Sequence, residues 1–464
     1  VTTALALLPV LAPSASAGED LDWKPCADIA AGWDAEDRAT ECATVTVPLD
    51  HGNPGGRTID LAVSRFRAAE HAEGVVVLNP GGPGQQGVTM PRHVRESRAA
   101  GIGARHDLIG FDPRGIGYSA GIECEPPDVE PDPSSSAKDK ARVLAEADAA
   151  RNRECAAGDP ELTRSLIQQN VARDVDLIRE ALGVEQIGFY GESWGTALGA
   201  TYRTLFDDRV SAMVLDSVMS PDQGVGELDD GQTGAAEAAF HRFADWVVGR
   251  YPLGDSGSEV RERVLDLRDE LDAHPRTALD GSRIDGMTVA TLATGPRANR
   301  AQAAEQLVVL AEGGVPETGP WARAGGLGWD REASGMDRFA QTALLCNTSD
   351  SPREFEGWWR SREERAERYP LAGGLGMYEV RCVGWDVPQR ALPYGAGTSP
   401  LLLVGHAEEQ VTPHPWAVRM REVIGGELLT VDDERHASFK SLPCAEIAVR
   451  LFDGGEVEGG TCAG

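Results

Sequence analysis

Five residues, Gly191-Glu192-Ser193-Trp194-Gly195, hold a serine between two glycines. They directly follow an apolar run, Ile187 to Tyr190, and directly precede small residues, Thr196 to Tyr202, suited to a helix. In a strand–turn–helix context, this spacing lifts a serine hydroxyl onto a sharp turn at a helix N-terminus, whose dipole favours developing negative charge. The chemistry is nucleophilic attack on a carbonyl. Glycines suit the two flanking positions because side chains in so tight a turn would strike neighbouring elements. In a chain with 54 glycines the bare pattern can arise by accident. Its flanking elements are what make it specific.

A serine nucleophile needs an oxyanion hole, a base and an acid. One oxyanion donor is expected at the backbone N–H of Trp194, the residue after the nucleophile. The other is expected in Asn79-Pro80-Gly81-Gly82-Pro83-Gly84, after the run Gly74 to Leu78, at Gly82 or failing that Gly81. Of nine histidines, only His241, His274, His406, His414 and His436 follow Ser193. His241 and His274 fall in a mostly helical insertion, and His406 and His414 beside the strand Leu401 to Val404. His436 lies just past the last apolar run, Glu427 to Val431, and is the expected general base. The acid belongs in the loop after Val404, with Glu409 first and Glu408 in reserve; either could orient the imidazole and stabilise its cation.

The elements that must position these groups can be read from periodicity. Ala43 to Val47 and Asp60 to Ser64 alternate like half-buried strands. Gly74 to Leu78, Asp107 to Phe111, Gln186 to Tyr190, Ala212 to Leu215, Leu401 to Val404 and Glu427 to Val431 are further strand candidates. Asn170 to Leu182 has helical spacing at Val171, Val175, Ile178 and Leu182, and Gly183 is a stop. Alternation of strand and helix implies a mainly parallel sheet, an α/β fold. It breaks after Asp216. Ala235 to Val248 and Glu354 to Arg368 read as amphipathic helices, and Gly313 to Gly328 as loop. The expected organisation is a leader over 1–17, a first core part over 18–216, a large helical cap over 217–399 inserted after the sixth strand, and a closing core part over 400–464. Such a cap would sit over the carboxyl ends of the strands, where open α/β sheets bind ligands. Cys124 to Lys138, rich in Pro, Asp and Ser, reads as a solvated loop.

The formal net charge of -30 disfavours nucleic acid and anionic membranes as partners. Val1 to Leu11 is apolar, and Ser14 to Ala17 has the small-residue pattern of a leader-peptide cleavage site. No stretch is long and apolar enough for a membrane helix. Eight cysteines, none in a C-x-x-C pair, fall into four local pairs: 26–42, 124–155, 346–382 and 444–462. Disulfides in this pattern fit export, and a zinc reading is weak. No metal or organic cofactor is expected.

NPGGPG (79–84), FDPRGIGYS (111–119), GESWGTALG (191–199) and VTP (411–413) with His436 resemble the secreted actinobacterial tripeptidyl aminopeptidases. These are α/β-hydrolases related to the prolyl aminopeptidases, with a family-specific C-terminal segment. The resemblance runs from Trp23 to the terminal cysteines. It implies a secreted exopeptidase that removes short peptides or single residues from free peptide N-termini, with Ser193 as nucleophile, His436 as base and Glu409 as orienting acid. It also implies acidic groups near the cap that receive the substrate's α-ammonium; Glu192 is a candidate. Glu409 departs from the family's usual Asp, and Thr348 from the Asp that often follows the cap's Cys-Asn pair. The enzyme is expected to act as a monomer. A carboxylesterase on the same fold and a non-catalytic binding protein are the competing expectations.

Overall fold

The computed structural model describes residues 21–132, 134–316 and 336–464. The expected leader, and residues 317–328 of the stretch read as loop, lie outside the described residues. Twelve strands occur among the described residues: β1 (Lys24–Pro25), β2 (Glu41–Pro48), β3 (Thr58–Phe66), β4 (Gly74–Asn79), β5 (His106–Phe111), β6 (Ile187–Glu192), β7 (Val210–Asp216), β8 (Arg276–Thr277), β9 (Arg283–Ile284), β10 (Leu401–His406), β11 (Glu427–Asp432) and β12 (Gly460–Ala463). Ten form one sheet in the order β1-β2-β3-β5-β4-β6-β7-β10-β11-β12. The pairs from β1 through β3 to β5 are antiparallel, and all those from β5 to β12 are parallel. Among the described residues, β8 and β9 pair only with each other, in the inserted segment.

The residue patterns explain the division. In β2, Val45 and Val47 are buried while Thr44 and Thr46 face solvent, as in a strand covered on one side. In β4, Val75 to Asn79 are all buried, as are all six residues of β6, because helical layers cover both faces. One layer includes the helix Gln168–Ala181, whose Val171, Val175 and Ile178 pack with Ile187 and Phe189. The other includes the helix Glu446–Phe452, whose Leu451 and Phe452 join Val76, Leu78 and Tyr190. β4 lies between β5 and β6, so the chain leaves it toward one neighbour and later returns to its other side. This topological switch point is where open α/β sheets form ligand crevices.

Strand alternation resumes where the sequence places it: Leu401 of β10 pairs with Met213 of β7 across the whole insertion. Part of the insertion has its own core, formed by Phe240, Phe243, Val260, Val264, Leu267 and Leu307 among others. Phe339, Leu344, Cys346 and Trp385 instead join the main core, so the latter part of the insertion is anchored to the sheet domain. The helix expected over 235–248 begins almost three turns earlier, as Val225–Val247. A 22-residue helix, Ala137–Gly158, has no counterpart in the sequence reading, because its buried residues are only Ala145, Ala149 and Cys155. All four disulfides pair as the spacing suggests: Cys26–Cys42, Cys124–Cys155, Cys346–Cys382 and Cys444–Cys462.

Candidate active site

Ser193 stands between the end of β6 and the helix Trp194–Phe206, with φ 56° and ψ -126°. A non-glycine residue held in such a region is strained and persists only where its surroundings fix it. Here its N–H donates to Asp216 O at 3.0 Å. Its carbonyl accepts from the Thr196 N–H at 2.9 Å and from Thr196 Oγ1 at 2.7 Å. The flanking glycines are required by contact. A Cβ on Gly191 would lie 2.4 Å from Gly195 O, and one on Gly195 would lie 2.5 Å from Asn79 O.

The loop after β4 runs against this turn. Gly81 and Gly82 both have positive φ, 93° and 108°. A Cβ on Gly81 would stand 2.4 Å from Glu192 O and 2.8 Å from Trp194 N. The Gly81 N–H is committed to Asn79 Oδ1 at 3.0 Å. Neither the Gly82 nor the Trp194 N–H has an acceptor among the described residues. Of the two glycines weighed from sequence, Gly82 therefore has the free donor.

His436 and Glu409 meet from the loops after β11 and β10. His436 Nδ1 donates to Glu409 Oε1, a carboxylate being able only to accept. The Glu409 side chain is fully buried, whereas a third of the His436 ring is exposed. Glu409 Oε1 also accepts from the Thr412 N–H at 3.2 Å and Thr412 Oγ1 at 2.7 Å. Oε2 accepts from Ser217 Oγ at 2.9 Å. Every contact is a donor, which suits an ionised carboxylate. Ser193, His436, Gly82 and Glu192 all line one cavity of about 260 Å³ at the switch point. Ser193 Oγ makes no hydrogen bond to a described residue.

Glu408 points elsewhere, to Arg242 and Arg297 of the insertion. His241 is exposed on the helix Val225–Val247 beside Glu237. His414 Nε2 bonds Thr430 Oγ1 at 2.9 Å. None of these histidines lines the cavity, nor does His274 at the end of the helix Gly257–Ala273. Glu192 does, but Lys440 Nζ donates to both of its oxygens at 2.8 Å. Burial raises the pKa of the Glu192 carboxyl, and Lys440 works against that rise.

Comparisons with known proteins bear on the fold that carries these residues. A profile described as "alpha/beta hydrolase fold" matches residues 74–304, and one described as "TAP-like protein" matches 369–462. The chain has the α/β-hydrolase fold. A tripeptidyl aminopeptidase of Streptomyces coelicolor is 29% identical over an alignment covering 98% of this chain and 88% of that one. The serine protease Hip1 of Mycobacterium tuberculosis is 31% identical over 49% of this chain and 45% of its own. A carboxylesterase B of the same species is 29% identical over 96% and 88%. This α/β-hydrolase is a serine hydrolase related to the tripeptidyl aminopeptidases.

Beneath the site, the hydrolase carries a second imidazole network that sequence reasoning did not identify. His406, fully buried, has Nε2 on Asp216 Oδ1 at 2.8 Å and Nδ1 on Asp433 Oδ1 at 2.6 Å. Burial disfavours the cation, but the hydrogen bond to Asp216 and the charges of Asp216, Glu409 and Asp433 outweigh it, and the His406 pKa is pushed up to about 9. Asp216 Oδ2 accepts from the Phe439 N–H at 3.2 Å, and Asp433 Oδ2 accepts from Ser438 Oγ at 2.6 Å. The segment 433–440, which carries His436, is thus held at both ends. Signals for these partners were faint. Asp216 and His406 end strands, Ser217 follows one, and Thr412 sits three residues beyond Glu409 in the VTP motif. Among the described residues there is no group of three or more side chains that could hold a metal ion, and no helix is long and apolar enough to cross a membrane.

Proposed function

We propose that this hydrolase is a secreted serine exopeptidase that releases short peptides or single residues from free peptide N-termini. The observation that carries the reading is the His436–Glu409 contact beside a cavity that Ser193 also lines. His436 Nε2 takes the Ser193 proton as the hydroxyl attacks the scissile carbonyl, and returns it to the leaving amine. The Gly82 and Trp194 amides receive the oxyanion. Water, deprotonated by the same imidazole, then releases the acyl-enzyme. The serine–imidazole bond forms as substrate fills the cavity, since catalytic contacts often tighten only in the bound complex.

Substrate selection follows from the cover over the cavity. Tyr378 of the insertion and Val411 line the cavity, and a cover of this kind would favour chain ends over internal bonds. An α-ammonium would meet Glu192, sharing its carboxylate with Lys440. Four disulfides suit an oxidising, extracellular setting. Ester hydrolysis is the second reading. It is favoured by the ion pair already made by Glu192, the one carboxylate among the described cavity-lining residues.

The test is a fluorophosphonate probe with a panel of free and N-acetylated peptides and matched esters. Labelling should vanish in Ser193→Ala, with hydrolysis falling by about four decades. Free peptides should be cleaved and acetylated ones refused. Indifference to the amine, with esters preferred, would establish the esterase instead, and absence of labelling would mark a binding protein.

A further inference from the structure

The Ser217 hydroxyl occupies a place that the reaction scheme above leaves unused. Ser217 directly follows β7 and is fully buried. Its backbone is in the left-handed region, φ 57°, where glycine is sterically favoured. Its N–H donates to Val404 O at 3.0 Å, which fixes it to β10. From there, Oγ donates to Glu409 Oε2 at 2.9 Å and accepts from the Ala437 N–H at 2.8 Å. Ala437 is also left-handed, φ 52°, and is the neighbour of His436. One hydroxyl therefore joins the second oxygen of the acid to the backbone beside the base.

We propose that Ser217 is a positioning residue that sets the acid and the base loop in register through this shared hydroxyl; the inference rests on the reading of Ser193, His436 and Glu409 as a triad. A glutamate has one more rotatable bond than an aspartate, so its carboxylate has further to wander. Thr412 holds Oε1 but leaves the plane free to turn about that oxygen. Ser217 is the only described donor to Oε2, and its contact stops the turn. The same atom satisfies the Ala437 N–H and so keeps the strained peptide next to the imidazole from relaxing. Retention of a serine with a Cβ, where glycine would cost less strain, is what a needed hydroxyl would require.

The experiment compares Ser217→Gly and Ser217→Ala with the unaltered full chain. Ser217→Gly removes the hydroxyl while easing the backbone; Ser217→Ala removes it without easing. Both should lose about 10- to 100-fold in kcat on a free tripeptide amide, the range for one hydrogen bond to a charged group. KM should stay within about twofold, and the far-downfield proton resonance of His436 Nδ1–H should shift or broaden. Ser217→Asn, which tolerates a left-handed backbone and still offers a donor, should recover part of the rate. It also serves if Ser217→Gly does not fold. Unchanged kcat, or a loss matched by raised KM with the proton resonance in place, would overturn the proposal. Ser193→Ala run alongside separates the two claims: if it still hydrolyses peptide, the triad reading falls, whereas an inactive Ser193→Ala beside a fully active Ser217→Gly defeats only the role given to Ser217.

Discussion

Raising the pH through the titration of His406 should loosen the segment that carries His436. Both ring nitrogens of His406 lie against carboxylate oxygens, at 2.6 and 2.8 Å, so both must carry protons. The folded-state pKa, about 9, stands above the ordinary 6.5. A histidine raised by folding contributes stability that is complete below its unfolded pKa and is lost as pH climbs through its folded one. The window is therefore about pH 6.5 to 9, and the interval corresponds to about 3 kcal/mol. Asp433, held below its usual range by its partners despite burial, belongs to the same interaction and is not counted again. The assay is denaturant unfolding with disulfides intact, at several pH values across the window, for the wild-type chain and His406→Gln. The stability difference between the two should shrink by about 3 kcal/mol from the acid to the alkaline end. Parallel curves would mean that His406 does not titrate in this window, and the network would need another account.

Other expectations concern the cavity itself. Glu409→Gln places an amide where the imidazole and Thr412 both donate. It should cost about three to four decades in kcat with the fold retained, as measured on purified enzyme by peptide hydrolysis and far-ultraviolet circular dichroism. Gly81→Ala puts a methyl group 2.4 Å from Glu192 O on a backbone at φ 93°; kcat should fall by at least about 100-fold, and near-normal turnover would show that the loop can yield. Lys440→Gln leaves the buried Glu192 carboxylate without its cation. It should lower unfolding stability by roughly 2–4 kcal/mol at neutral pH, with a smaller loss in acid, read by denaturant melts at two pH values.

Much of the architecture was legible because hydrophobic period is local. Val75 to Leu78 must be buried on both faces, whichever neighbours supply the cover, so a central strand could be named. Ser193 could be named because its turn, its strand and its helix are contiguous. His436 and Glu409 were harder, resting on chain order and on their place after the last strands. β12 was not legible: Gly-Thr-Cys-Ala has no apolar run and becomes a strand only because β11 offers an edge. The helix Ala137–Gly158 was missed for a similar reason, its few buried positions giving almost no periodic signal.

Glu192 shows what residue type alone leaves out. A carboxylate beside a nucleophile invites an ammonium, and the fold had already supplied one from Lys440, 248 residues away. By itself the sequence determined which short stretches turn, which are buried and which carry reactive groups, since those properties depend on neighbours within a few residues. Tertiary structure alone decided partnership: Glu409 rather than Glu408 against His436, Ser217 between them, and His406 between two aspartates. A hydrogen bond is satisfied within about 3 Å, and nothing in the spacing of residues along a chain encodes distances of that size between strands far apart in sequence.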